Sequence, residues 1–237
     1  MILLDGKTLS EQILDSLKPI NKSLHVILIG DDPSSVKYVS LKQKKCQEVG
    51  VDFTLHHLTD DQTLPDLIDK LNHDSLVDGF FVQLPIKSKD FLKLISPTKD
   101  VDGLNPNSKF VPAVVVGIIK LLESYNLKFE TQKVVIVNDS ELIGQPLIKY
   151  FPQAILCNDQ TKELANITQT ADLLISATGI KNLITANMVK KGAVVVDVAN
   201  GDVDFASVAP KCSYITPTFG GVGPMTIASL LYNLSQA

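Results

Sequence analysis

The stretch VVIVNDSELIGQP, from Val134 to Pro146, decides the predicted fold. It begins as a buried β-strand and continues into a pattern that is typical of a helix. A strand that passes through a tight turn into a helix is where dinucleotide-binding folds place their glycine-rich phosphate turn. Here the turn reads Asn138-Asp139-Ser140, which puts a carboxylate in the turn and raises the question of which nucleotide it accepts.

Short apolar runs alternate along the chain with segments whose apolar residues recur three and four positions apart. This alternation predicts a βαβ rhythm, with parallel strands covered by helices. The rhythm breaks between about residues 87 and 132, where a loop rich in Pro, Asn and Lys precedes a helix-like segment, so two α/β domains are expected. The predicted strands are LHVILIG (24–30), VDFTLHHL (51–58), VDGFFVQLP (77–85), KVVIVN (133–138), AILCND (154–159), DLLISAT (172–178) and GAVVVDV (192–198).

The composition favours a small-molecule ligand. The 237 residues carry a net charge of -4, which gives no reason to expect binding to nucleic acid or to a membrane, and no apolar run is long enough to span a bilayer. The three cysteines are widely spaced without a CxxC pair, which fits a reducing cytoplasm, and the four histidines show no metal-ligand spacing. The chain has no arginine, the preferred side chain for holding phosphates.

Two groups of polar residues in the first half of the chain are candidates for a ligand-binding site. Tyr38 and Lys42 lie four positions apart on a helix expected to start at Pro33 behind a serine cap, so they share one face. The alternative is a solvated basic helix. Gln83 ends a predicted strand, where open α/β sheets bind ligands, although it can equally face water.

Two loops add further candidates. In KDVDGLN, a carboxylate can accept two parallel N–H bonds from a flat amino-heterocycle. The alternative is a turn in which aspartate bonds the backbone, which is the preferred interpretation for Asp100 but not for Asp102. In TPTFGGVGPMT (216–226), three glycines let the backbone approach a ligand before Pro224 opens the last helix, and a plain tight loop is the alternative.

The motifs YVSLK, DGFFVQLP, KDVDGLN, SELIGQP and TPTFGGVGPMT together resemble the bifunctional methylenetetrahydrofolate dehydrogenase/methenyltetrahydrofolate cyclohydrolase family, in its order and approximate spacing. The resemblance implies two α/β domains around a cleft, joined by linker helices. The folate-binding catalytic domain would comprise residues 1–117 and 222–237, and the Rossmann-type nucleotide-binding domain residues 118–221. The resemblance also implies a homodimer that associates through the nucleotide domain.

The resemblance assigns roles on the folate side. Lys42 would be the catalytic lysine, Gln83 would bond and tune it, and Asp102 would bind the pterin edge. Tyr38 would stack on the folate ring system and so belong to both the catalytic and the substrate-binding set. The other implied substrate-binding residues are Val82, Leu84, Gly220, Gly221, Val222, Gly223 and Pro224.

The nucleotide side departs from the family, whose usual turn is Gly-Arg-Ser. The expected cofactor is NADP or NAD, held by Asn138, Asp139, Ser140, Gly144 and Asp159. Asp159 ends the second predicted strand of the nucleotide-binding domain and is the carboxylate expected to bind the ribose hydroxyls. Asp139 would repel a 2′-phosphate. Ser140 and the helix start near Ile143 and Gly144 are expected to offer hydrogen-bond donors to the pyrophosphate.

The implied activity is oxidation of 5,10-methylenetetrahydrofolate to the 5,10-methenyl form, followed by hydrolysis to 10-formyltetrahydrofolate. Two alternatives remain open at the level of sequence. The first is a cyclohydrolase without dehydrogenase activity, because the folate-side residues are intact and the nucleotide-side residues are not. The second is a non-catalytic protein that binds folate or a partner on the same fold, because a fold alone does not establish activity.

Overall fold

The predicted strand at the start of VVIVNDSELIGQP forms as β5 at Val134–Val137, and it lies inside a six-stranded parallel sheet. The computed structural model describes all of residues 1–237. The strand order is β1-β9-β8-β7-β5-β6, and every pairing within the sheet is parallel. The strands are β1 (Ile2–Leu3), β5 (Val134–Val137), β6 (Ile155–Cys157), β7 (Leu173–Ser176), β8 (Val194–Asp197) and β9 (Tyr214–Ile215).

A second, three-stranded sheet has the order β3-β2-β4 and is also parallel. Its strands are β2 (Ser23–Ile29), β3 (Asp52–Leu58) and β4 (Gly79–Val82). All seven predicted strands are therefore present, and the α/β class is confirmed. The strands β1 and β9, each two residues long, were not predicted because so short a segment has no measurable periodicity.

The helices follow the strands in the predicted alternation. They are α1 (Gly6–Leu17), α2 (Pro33–Glu48), α3 (Leu64–His73), α4 (Ala113–Ser124), α5 (Gly144–Ile148), α6 (Leu164–Thr168), α7 (Phe205–Val208) and α8 (Val222–Ser235). Helix α2 starts at Pro33 as expected, but its cap is Asp32 and not a serine, since the Asp32 carboxylate accepts a hydrogen bond from Ser35 N at 2.8 Å. No helix is both long and apolar enough to cross a bilayer.

Contacts between residues divide the chain into two compact units. The three-strand unit comprises Gln12–Ala113 and Ile227–Ala237, and the six-strand unit comprises Met1–Glu11 and Val114–Thr226. This division differs from the expected boundaries mainly at residues 1–11, because β1 pairs with β9 and so joins the six-stranded sheet. The three helices α1, α4 and α8 each carry the chain from one unit into the other.

Each unit has its own apolar core, as independent sheets require. In the three-strand unit, fully buried side chains of β2 and β4, such as Val26 and Phe81, pack with Leu230, Leu231 and Leu234 of α8. In the six-strand unit, the central strands β5, β7 and β8 are buried along their whole length, which is the pattern of a parallel sheet covered on both faces. All three cysteines are buried and free, so the fold contains no disulfide.

The loop that precedes α4 needs glycine at position 103. Gly103 has φ +72°, and a Cβ built there would lie 2.6 Å from the Pro112 nitrogen. Gly30 has nearly the same angle, φ +71°, but a Cβ there would meet nothing within 4 Å. The two glycines therefore separate the effect of backbone conformation from the effect of a steric clash.

We expect Gly103→Ala to destabilise the protein more than Gly30→Ala does. Both variants place an alanine in the left-handed backbone conformation, which costs roughly 1 to 2 kcal/mol. Only Gly103→Ala also adds a clash with the backbone, which costs roughly 1 to 3 kcal/mol more. Urea unfolding of the two variants, followed by circular dichroism, measures the difference. Equal midpoints would show that the Pro112 backbone yields without cost.

Candidate functional site

The side chain of Lys42 is buried at the carboxyl end of β4. It projects from α2 and is only 2% exposed. Its Nζ atom lies 3.0 Å from Gln83 Oε1, to which it donates a hydrogen bond. The same ammonium lies 4.8 Å from the centre of the Tyr38 ring and 4.1 Å from the centre of the Phe81 ring, both within the range of cation–π attraction. The structure thus brings Tyr38, Lys42 and Gln83 together.

The local structure explains this convergence. Tyr38 and Lys42 are one helical turn apart on α2, so both face the same side of the helix. Gln83 directly follows β4, and its backbone N–H bonds Ile27 O of the neighbouring strand at 2.8 Å. The Gln83 amide also donates from Nε2 to Leu84 O at 2.9 Å, which turns its oxygen towards the lysine. Gln83 therefore presents an acceptor where the ammonium needs one.

Burial changes the acid–base behaviour of the site. Loss of hydration lowers the pKa of Lys42, while Coulombic attraction to Asp102 and Cys46 acts in the opposite direction. Burial likewise raises the pKa of Asp102, against the attraction of Lys42. Asp102, the fourth predicted catalytic residue, is thus electrostatically coupled to the lysine. The result is a lysine that gives up its proton more readily than an exposed one.

The neighbouring carboxyl, Asp100, has a structural role. It is fully buried, and its Oδ2 accepts a hydrogen bond from Asn105 N at 2.7 Å, as the turn interpretation predicts. Its Oδ1 has no hydrogen-bond partner. Burial raises the pKa of Asp100 to about 6, although hydrogen bonds from the loop backbone oppose the shift. Asn233 of α8 supports the same loop by donating to Val101 O at 2.9 Å.

The glycine-rich loop belongs to the six-strand unit. Gly220 O accepts a hydrogen bond from Lys7 N at 2.8 Å, and a Cβ on Gly6 would lie 2.0 Å from Gly221 O. The loop backbone therefore packs directly against the start of α1. The last helix begins at Val222, so Pro224 lies in its first turn, as predicted.

The turn after β5 is organised by the side chain of Asn138. Its Oδ1 accepts hydrogen bonds from Ser140 N at 2.9 Å, Ser140 Oγ at 2.6 Å and Gly144 N at 3.1 Å. Its Nδ2 donates to Ala177 O, beyond the end of β7, at 2.8 Å. Asn138 thus engages donors of Ser140 and Gly144 that were expected to face a pyrophosphate, and a bound pyrophosphate would compete for them.

Gly144 is required by the same turn. A Cβ at this position would lie 2.1 Å from Asn138 O, so no larger residue fits there without movement of the backbone. Asp139 and Asp159, the two acids of the predicted cofactor set, are both exposed at the carboxyl ends of β5 and β6. Asp139 Oδ2 accepts a hydrogen bond from Asn158 Nδ2 at 2.8 Å. All five predicted cofactor residues therefore lie in the segments that follow these two strands.

Sequence reasoning missed three residues of these sites. Phe81 contacts Lys42, but it lies in a strand in which every residue is buried. The sequence of such a strand does not show which of its side chains faces the ammonium. Asn158 bonds Asp139 across 19 positions. Asp202, 1% exposed, accepts hydrogen bonds from Ser176 Oγ, Thr178 N, Thr178 Oγ1 and Gly179 N, and so holds the segment after β7. A buried acid between two strands is the one signal that could have identified it.

Two family models match the chain and together cover most of it. Residues 4–102 match the catalytic domain of tetrahydrofolate dehydrogenase/cyclohydrolase. Residues 112–237 match the NAD(P)-binding domain of the same family. The lysine site lies within the first match, and the turn of Asn138 lies within the second.

Several relatives are similar over the whole length. The bifunctional protein FolD of Wolinella succinogenes is 42% identical over 276 aligned positions, which cover 100% of this chain and 96% of the relative. The crystal structure of the bifunctional FolD enzyme of Campylobacter jejuni is 40% identical, with a TM-score of 0.93 over 100% of this chain and 98% of that one. The Trypanosoma brucei enzyme, solved with NADP and an inhibitor, is 25% identical, with a TM-score of 0.91 over 98% and 95%.

Asp100 provides a test of the electrostatics beside the lysine. The folded state keeps the proton of Asp100 up to about pH 6, whereas the reference value is 3.8. The contribution of this residue to the free energy of unfolding therefore falls as the pH rises through that window. Asp100→Asn cannot ionise, so we expect it to gain roughly 1 to 3 kcal/mol relative to the native chain between about pH 4.5 and about pH 7.5. Urea unfolding at both pH values measures this gain.

The control for this experiment is Asp66→Asn, which removes the same charge from an exposed position on α3. Its stability relative to the native chain should not rise across the same window. A gain of equal size in both variants would refute the assignment of the effect to Asp100.

Proposed function

The chain belongs to the tetrahydrofolate dehydrogenase/cyclohydrolase family, and we propose that it carries out both reactions of that family. It oxidises 5,10-methylenetetrahydrofolate to the 5,10-methenyl form with NAD or NADP and hydrolyses that product to 10-formyltetrahydrofolate. The observation that carries this proposal is the buried ammonium of Lys42, hydrogen-bonded to Gln83 at 3.0 Å and placed beside two aromatic rings. Such a group is costly to bury and serves proton transfer well.

The folate-side roles follow from the chemistry of each side chain. Tyr38 offers an aromatic face for stacking on the folate ring system, next to the lysine. Asp102, whose carboxyl is coupled to Lys42, accepts the paired N–H groups of the pterin edge. Val82 and Leu84 flank Gln83 and shape the same strand end. The glycine loop, Gly220 to Pro224, is the further substrate-binding segment that the resemblance implies.

In the dehydrogenase step, the protein aligns substrate and cofactor and favours the iminium cation that develops on the one-carbon bridge. A nicotinamide dinucleotide, when bound, accepts the hydride that leaves this bridge. The six-strand unit fits such a cofactor, because the exposed carboxylates of Asp139 and Asp159 follow the parallel strands β5 and β6, where open α/β sheets bind ligands. Asp139, Ser140 and Asp159 would contact it directly, and Asn138 would hold the turn.

In the cyclohydrolase step, water adds to the one-carbon centre of the methenyl cation and loses a proton. The carbon–nitrogen bond of the ring then breaks, and the nitrogen that leaves takes up a proton. The lowered pKa of Lys42 lets its neutral form accept the proton of the attacking water. Gln83 keeps the amine in place through its oxygen. The hydrolysis therefore depends on Lys42 and on the residue that positions it.

Loss of the dehydrogenase reaction is the second candidate function. The observation in its favour is that Asn138 Oδ1 occupies the donors of Ser140 and Gly144 within the chain. A cyclohydrolase alone would retain the lysine site without a need for those donors. A non-catalytic protein has less support, since the buried charge of Lys42 would then bring a cost in stability without a function.

One set of assays separates these functions. The purified protein is given methylenetetrahydrofolate with NAD or with NADP, and separately methenyltetrahydrofolate alone, while absorbance follows reduced nucleotide and the methenyl group. Consumption of the methenyl compound without reduced nucleotide from either cofactor would establish the cyclohydrolase alone. Absence of turnover in every assay would leave only a binding role.

The proposal extends to the assembly and to the compartment. The family resemblance favours a homodimer that associates through the six-strand unit, and three free, buried cysteines fit a reducing cytoplasm. Light scattering coupled to size exclusion measures the mass in solution. A mass of one chain would refute the dimer.

We expect Lys42→Met to lower the cyclohydrolase rate by at least about a hundredfold, because it removes the group that exchanges a proton with water. Lys44→Met is the matched control, since Lys44 is exposed on the same helix and carries the same charge. Thermal unfolding should show that Lys42→Met is at least as stable as the native chain, because methionine occupies an apolar site without a buried charge. A native rate in Lys42→Met would exclude the lysine from the mechanism.

A further inference from the structure

The residues at the carboxyl ends of β5 and β6 bear on the choice between NAD and NADP. Asp139 follows β5, and Asn158 follows β6. The Asn158 amide donates from Nδ2 to Asp139 Oδ2 at 2.8 Å, so one hydrogen bond joins the two strand ends. In dinucleotide-binding folds, the residue after the second strand is where the adenosine ribose is recognised. The contact therefore brings the carboxylate of the first turn to the ribose end of the site.

Asn158 is itself held in place. Its backbone N–H donates to Thr161 Oγ1 at 2.8 Å, and its side-chain Oδ1 accepts hydrogen bonds from Gln160 N at 3.0 Å and Thr161 Oγ1 at 3.2 Å. A residue fixed by three bonds holds its partner in a defined position. Oδ2 of Asp139 is thus engaged, while Oδ1 takes part in no hydrogen bond within the chain. An exposed carboxylate oxygen in a fixed position is an acceptor for a ligand hydroxyl.

We propose that Asp139, held by Asn158, makes this site select NAD over NADP. The inference rests on the proposed function, in which the six-strand unit binds a nicotinamide dinucleotide. A ribose 2′-hydroxyl can donate a hydrogen bond to the carboxylate, whereas a 2′-phosphate carries nearly two negative charges at neutral pH and is repelled by it. The match to the NAD(P)-binding domain and the parallel sheet edge support a nucleotide site here, and the acid only decides between ligands.

The charges nearby do not reverse this preference. The chain contains no arginine, so no guanidinium is present to pair with a phosphate. Lys162 is the lysine nearest in sequence to Asn158. It is exposed and forms no salt bridge with Asp139 or Asp159. Asp159 adds a second exposed carboxylate directly after Asn158. Both acids oppose a 2′-phosphate, but only Asp139 is fixed by a hydrogen bond to a neighbouring side chain.

The test is nucleotide binding by the whole protein, without substrate. Isothermal titration with NAD and with NADP gives the ratio of the two dissociation constants for the native chain and for Asp139→Asn, Asp159→Asn and Glu130→Gln. Glu130 is the matched control, because it is exposed and precedes β5, at the opposite end of the strand from Asp139. Hydrolysis of methenyltetrahydrofolate by each variant shows that the three-strand unit remains intact.

We expect the native chain to bind NAD at least about tenfold more tightly than NADP. Asp139→Asn should reduce this preference by about tenfold, and Glu130→Gln should leave it unchanged. The preference of the native chain should also shrink at about 0.5 M salt, because exposed charges are screened. That dependence on salt should be weaker in Asp139→Asn.

Three results would overturn the inference. They are equal or tighter binding of NADP by the native chain, a preference that Asp139→Asn leaves intact, and a preference that only Asp159→Asn removes. If neither nucleotide binds while methenyltetrahydrofolate is still hydrolysed, the dehydrogenase half of the proposed function fails along with the inference. Reduction of NADP at a higher kcat/KM than NAD would refute the inference alone.

Discussion

The burial of one ammonium group is the constraint on which the folate side of the molecule depends. A charged lysine removed from water is costly unless it finds partners or loses its proton. Lys42 finds the amide oxygen of Gln83 and the faces of two aromatic rings. These partners come from α2 and from the end of β4, so the geometry of the site requires that the helix and the sheet keep their register.

The support for that lysine is layered. Gln83 is oriented by its own hydrogen bond to Leu84 O, and the backbone of the loop after β4 is held by Asp100 and Asn233. None of these supporting groups needs to touch substrate. They fix the position of Lys42 and Gln83, which is the usual way a protein obtains a defined geometry for proton transfer.

The nucleotide side follows a different design. Asn138 fills its own turn with hydrogen bonds and ties it to Ala177, while Asp202 holds the residues that follow β7 from the other side. Both segments are thereby ordered without a ligand. A cofactor that binds here has less loop to immobilise, but it must compete with bonds that the chain already makes.

The sequence predicted the seven longer strands from apolar runs and the shared face of Tyr38 and Lys42 from helical spacing, whereas the bond from Lys42 to Gln83 was implied by the family resemblance. It failed where a contact joins residues distant along the chain. The bond from Asn158 to Asp139 and the bonds from Thr178 to Asp202 depend on the order of strands in the sheet, which no local pattern encodes. The engagement of Ser140 by Asn138 was missed for another reason, since the presence of a donor does not reveal whether it is already used.

The division of the chain has a consequence for its synthesis. Residues 1–11 belong to the six-strand unit, whose other residues begin only at Val114, and the three-strand unit takes in Ile227–Ala237. During translation, the first strand must wait for β9, its partner more than two hundred residues later, and the core around Phe81 stays open until Leu230 and Leu234 emerge. Neither unit can therefore be expressed as one uninterrupted fragment, and each folds completely only when both of its segments are present.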